Sequence, residues 1–140
     1  MASNTRFAVA VHLLVALAYR GSDGATSEDL SRSVTTNAVV VRRLLGLLTK
    51  AGLVTGRGGR SGGYTLARKP ERITLEQVFR AVEPEGVLSL HENPTNQACV
   101  VSCQIKHLLG SVFADAHKAL EARLKKTSVA DLLAETRAQG

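Results

Sequence analysis

Residues 35–68 read TTNAVVVRRLLGLLTKAGLVTGRGGRSGGYTLAR, and they decide the fold. Val41, Leu44, Leu45 and Leu48 recur at helical spacing, so one face of a helix is apolar. Thr35, Thr36 and Asn37 supply a capped start. Lys50 in the last turn and Gly52 just beyond supply the stop. Residues 53–55 read as a short strand and residues 64–66 as its partner. Between them lies GRGGRSGG, whose glycines carry no Cβ and allow the backbone to approach another surface closely.

Arg42 and Arg43 are adjacent, roughly 100° apart around the helix, so both can flank the apolar stripe and face outward. A helix with outward arginines, followed by a hairpin with arginines near its tip, is the outline of a winged helix-turn-helix. The fold class expected is therefore mainly α, with a two-stranded wing and a long C-terminal dimerisation helix. In such an architecture the recognition helix enters the major groove and the wing lies on the backbone or in the minor groove.

Upstream, Phe7, Val11, Leu14, Leu17 and Ala18 trace one face of a first helix, which is apolar nearly all round. Gly21 and Gly24 break it. A short helix over 27–34 follows, capped by Thr26 or Ser27, with Leu30 and Val34 inward. This helix and the one after it, joined by a short turn, form the helix-turn-helix pair.

Downstream, Pro70 ends the hairpin, and Thr74 caps a helix over 75–82 that turns Val78, Phe79 and Val82 inward. Residues 83–97, with two prolines, a glycine and two asparagines, read as a loop with a turn near 87–90. Then Ile105, Leu108, Leu109, Val112, Phe113, Ala116 and Leu120 keep an apolar stripe to Leu124. A domain this small has little to cover so long a seam, which predicts a second copy across it. Ser128 caps a last helix running to about Arg137. The organisation expected is a DNA-binding domain over 1–82, a connecting loop over 83–103 and a dimerisation unit over 104–140.

Charge is placed unevenly. The chain of 140 residues carries a formal +6, yet residues 1–70 hold ten Lys/Arg against three Asp/Glu and the second half is nearly balanced. An anionic partner for the first half follows, and double-stranded DNA suits it. The expected contacts are Arg42, Arg43, Arg57 and Arg60, which can grip guanine or phosphate in two-point fashion. Ser27, Thr36 and Asn37 add donors at helix starts, and Lys50 adds charge. Val39 on the recognition helix and Ser61 and Tyr64 on the wing complete the surface. The glycine-rich loop lacks a Gly-Lys-Ser/Thr ending and leads into a strand, which excludes a nucleotide P-loop.

Only Cys99 and Cys103 occur, so there is no disulfide framework, and a reducing cytoplasm fits. No run of eighteen apolar residues exists to span a membrane. Cys99, Cys103 and His107 are spaced by four, as a metal site or a redox pair could be. Zinc would want a fourth ligand, such as His91 or a group from a partner subunit. The reading adopted is no metal, with redox sensing by Cys99 and Cys103 left open beside simple packing. No Ser/His/Asp or paired-carboxylate arrangement stands out, so no enzymatic activity is expected.

The run GRGGRSGGYTLARKPERITLEQVFRAVE resembles the wing and following helix of the Rrf2 family of bacterial transcriptional regulators. The order of helices resembles that family along nearly the whole chain. TTNAVVVRRLLGLL and LHENPTNQAC are similar to a branch lacking the usual iron–sulfur ligands. The resemblance implies a homodimeric winged-helix regulator, taken here as a repressor, on a two-fold symmetric operator. Iron–sulfur members carry three closely spaced cysteines before the long helix, whereas two are present here. An ordinary [2Fe–2S] cluster needs four ligands, mostly thiolate, so no cofactor is expected. The alternative is a helical dimerisation module that binds another protein, its basic face incidental.

Overall fold

The computed structural model describes residues 5–58 and 62–140. Among these residues, six α-helices and one hairpin follow in chain order. They are α1 (Arg6–Arg20), α2 (Ser27–Val34), α3 (Ala38–Lys50), β1 (Val54–Arg57), β2 (Gly63–Leu66), α4 (Leu75–Val82), α5 (Val100–Leu124) and α6 (Val129–Gln139).

Three helices open on reciprocal caps that local sequence dictates. Thr26, Thr74 and Ser128 each accept from the N–H three residues on, and Asp29, Gln77 and Asp131 each return a bond. The core gathers Leu13, Leu14 and Leu17 of α1, Leu30 of α2, the α3 stripe, Leu53, Val54, Ile73, Val78, Val82 and Val129. The expected stripe of Val41, Leu44, Leu45 and Leu48 is wholly buried. On α1 the buried line is Ala10, Leu13, Leu14, Leu17 and Ala18, while Phe7 and Val11 are half-buried. A helix apolar on nearly every side does not announce which side faces inward. Phe7 instead stacks edge-on against Phe79, centroids 5.4 Å apart.

The hairpin pairs Val54 with Leu66 through Arg57 with Gly63, so β1 runs further toward the tip than residues 53–55. A turn of 3-10 helix, Pro70–Arg72, leads to α4. There Leu75 N–H donates to the Thr127 carbonyl and Val129 N–H to that of Ile73, lashing the starts of α4 and α6 together.

The segment before α5 differs from expectation in two places. Its turn falls at 83–86, where the Gly86 N–H donates to the Glu83 carbonyl at 3.0 Å and Gly86 takes φ 76°, not at 87–90. The helix also begins at Val100, so Cys103 lies inside α5 rather than in the connecting loop. At 25 residues, α5 extends about 37 Å and has no buried residue. It is fixed to α4 by Arg80, whose guanidinium donates to Glu121 at 2.7 Å and lies 3.2 Å from Glu76. The hydrogen bond from Arg80 to Glu121 is the largest influence holding the guanidinium in its charged form, with the two carboxylates' fields adding to it. His117 of α5 accepts from the N–H groups of Val87 (3.0 Å) and Leu88 (3.2 Å), pinning the connecting segment. Of the expected seam, Leu108, Val112 and Ala116 are exposed, and Ile105, Leu109, Phe113 and Leu120 are half-buried.

Candidate nucleic-acid interface

The turn between α2 and α3 is tighter than its sequence suggests. Thr35 ends α2 in the left-handed region, φ 65°, and its N–H donates to Ser31. Thr35 therefore belongs to the end of α2, and α3 begins only at Ala38. Asn37 caps α3, its side-chain oxygen accepting from Val40 N–H at 3.0 Å.

With Val41, Leu44, Leu45 and Leu48 inward, α3 turns Val39, Arg42, Arg43, Gly46 and Lys50 to solvent. Val39 is 58% exposed. Among the described residues, the side chains of Arg42, Arg43 and Lys50 make neither an ion pair nor a hydrogen bond. Three cations thus stand ready for an external anion. Arg20 and Arg32 are different, because both face Asp29, at 3.8 and 2.6 Å. The Asp29 carboxyl is held below the usual carboxylate range, first by the hydrogen bond from the Thr26 N–H. The Thr26 hydroxyl bond and the two arginines act in the same direction.

The remaining expected contacts are placed less freely. Ser27 is buried and its hydroxyl donates to Glu28 at 2.7 Å. Glu28 and Asp29 stand in the first turn of α2, an arrangement that disfavours phosphate there. Thr36 is half-buried in the turn. Arg57 is exposed at the tip end of β1, but its guanidinium donates to the Asp23 carbonyl and so ties the wing to the segment before α2. Tyr64 is half-buried, packs against the core and pairs through its backbone with Ala25. Arg60 and Ser61 lie outside the described residues.

Ala25 pairs with Tyr64 across 39 residues of sequence, and no local pattern marks that pairing. Ala25 N–H donates to the Tyr64 carbonyl at 3.0 Å, and Tyr64 N–H returns a bond at 2.8 Å, so the chain before α2 is tied to β2 by a single antiparallel bridge beside the two-stranded wing. Gly24 makes this approach possible: it sits at φ 68°, and a Cβ there would lie 2.5 Å from the Tyr64 carbonyl oxygen. The signal available was a glycine just before α2, which is weak without knowledge of the partner strand.

Cys99 and Cys103 are both free thiols. Cys99 is half-buried at the N-cap of α5, its sulfur accepting from Ser102 N–H at 3.4 Å. Cys103 is exposed, with its sulfur 3.7 Å from the Asn96 carbonyl oxygen. Among the described residues no three His, Cys, Asp or Glu side chains gather as metal ligands. Two thiols in one chain do not match the four-ligand, mainly thiolate demand of an iron–sulfur cluster. Also among the described residues, no helix is long and apolar enough to cross a membrane.

Comparison with known proteins agrees with this geometry. The model of the Rrf2 family, described as iron-dependent transcriptional regulators, matches residues 3–135. The chain is 38% identical to YwnA of Bacillus subtilis (strain 168), whose name assigns it provisionally to the HTH-type transcriptional regulators. That match spans 93% of this chain and 96% of YwnA. It is 29% identical to protein rrf2 of Nitratidesulfovibrio vulgaris, over 95% of this chain and 87% of that one. Among solved structures, T. potens IscR superposes with a TM-score of 0.72 at 23% identity, covering 100% of this chain and 92% of IscR, a likeness of fold. The DNA-binding helix-turn-helix, the hairpin wing and the matched sequence converge: this chain belongs to the Rrf2 family of transcriptional regulators.

Proposed function

We propose that the protein is a sequence-specific repressor that works in the cytoplasm as a homodimer on a two-fold symmetric operator. The observation that carries the reading is the outward face of α3, where Arg42, Arg43 and Lys50 have no partner within the described chain. An unpaired row of cations beside a wing suits the major groove and its phosphate walls. The dimer is supported by α5, which buries none of its residues within one chain. Two α3 helices held by paired α5 helices would meet successive major grooves of one duplex face.

The same reading has the protein work without an iron–sulfur cluster, which is supported by its holding two thiols, Cys99 and Cys103. Any oxidant response would act through Cys99 or Cys103: Cys103 is the exposed thiol, and altering the Cys99 sulfur would disturb the cap of α5. Equal operator affinity before and after peroxide would remove that role.

The test is operator binding by the parent and Arg43→Ala across a salt series. Loss of a two-point base contact costs about 1–3 kcal/mol and relaxes specificity at one position per half-site. Affinity should also fall steeply with salt. Binding without sequence preference, alongside capture of a defined protein partner, would favour the protein-binding alternative.

A further inference from the structure

Two features of α3 serve no purpose inside the chain. The first is Gly46, in the interior of a 13-residue helix. Glycine is among the least favourable residues there. Close packing does not demand it, since a Cβ at Gly46 would meet nothing within 4 Å. The second is Val39, a β-branched apolar side chain left 58% exposed while its neighbours Val40 and Val41 turn inward. At 3.6 residues per turn, Val39, Arg43, Gly46 and Lys50 fall within roughly 60° of one another, with Arg42 at the edge. The stripe is thus an apolar residue in the first turn, a bare stretch of backbone one heptad later, and cations on both sides.

We propose that this stripe reads a thymine. Resting on the DNA-binding reading above, the inference assigns Val39 to the 5-methyl group of a thymine in each half-site. It assigns Gly46 to a point where the helix backbone lies against the groove with no room for a side chain. The geometry favours it. A helix with its side chains, about 10–12 Å across, nearly fills a major groove about 12 Å wide, so one missing side chain sets how deeply it seats. Residues in the first turn of a recognition helix reach base edges, and Val39 is the second residue of α3. The thymine methyl is the apolar feature of the groove, and valine offers it a matching surface without a hydrogen-bonding group.

The experiment begins with the operator that the parent protein enriches from a random duplex pool. Each thymine is then replaced by deoxyuridine, which deletes only the methyl. The parent should lose about fourfold in affinity at one thymine per half-site, the worth of one buried methyl group. Val39→Ala should bind thymine and uracil operators equally. Gly46→Ala should melt about 3 °C higher, because alanine suits the helix. It should nonetheless bind the operator roughly tenfold more weakly, as an overpacked contact does. A parent indifferent to every replacement, or a Val39→Ala protein as sensitive as the parent, would overturn the assignment of Val39. Unchanged operator affinity in a stabilised Gly46→Ala protein would overturn that of Gly46. If the parent enriches no sequence at all, the failure is of the regulator reading itself, and this inference falls with it.

Discussion

The cleanest test of the dimer is the double substitution Leu108→Ala, Val112→Ala. Both side chains lie on α5, one turn apart, and are 55% and 58% exposed in the isolated chain. Full burial of such a side chain stabilises by about 1.5–3 kcal/mol, so covering the remaining half adds roughly 1 kcal/mol each. A two-fold interface covers four of them. Truncation should therefore weaken association by about 4 kcal/mol, close to a thousandfold in Kd. The fold should not suffer, because α5 contributes no buried residue to the core and alanine is a good helix former. These positions are better probes than Leu109 and Phe113, which are half-buried and whose loss would mix folding with assembly. Light scattering at micromolar concentration should give a dimer for the parent and a monomer with an unchanged circular dichroism spectrum for the variant. Operator affinity should fall as well, since each half-site would be bound alone. A variant that dimerises as tightly as the parent, or a parent that is monomeric, would refute the reasoning.

How much was legible depended on how local the determinant was. Thr26, Thr74 and Ser128 mark helix starts within four residues of sequence, and the corresponding helices fall where those caps place them. The apolar stripe of α3 was equally plain, because polar residues interrupt it on the other side. The start of α5 was not, since its cap is a cysteine, outside the usual Ser, Thr, Asp and Asn signals. Long-range pairings left no local mark. Nothing near Ala25 points to Tyr64, 39 residues on, and nothing near Glu83 tells that its buried carboxylate meets Arg6 at the start of α1. The interface residues divide in the same way. Arg42, Arg43 and Lys50 follow from the face opposite the stripe, whereas the engagement of Ser27 with Glu28 and of Arg57 with Asp23 required the folded chain.

Three further outcomes follow from backbone and charge. Thr35→Asn should raise stability by about 1 kcal/mol, since asparagine tolerates the left-handed region that a β-branched residue enters under strain. An unchanged or lower melting temperature would count against that strain. Gly86→Ala should destabilise by roughly 1–3 kcal/mol, because it combines a positive φ with a clash against the His117 ring. Faster hydrogen exchange at Val87 and Leu88 would report the loosened segment, and unaltered protection would refute the account. Asp29 yields a pH dependence of definite sign. Its folded-state pKa is depressed by the Thr26 bonds and the arginines, so its contribution is fully present above the unfolded value of about 3.9. As pH falls below that value toward the lower folded-state pKa, protons bind the unfolded chain first and the contribution is lost. Asp29→Asn should therefore melt below the parent at neutral pH, and the gap should close on acidification. A gap that stays constant from neutrality down to strongly acidic pH would mean that the charge on Asp29 is not what holds the start of α2.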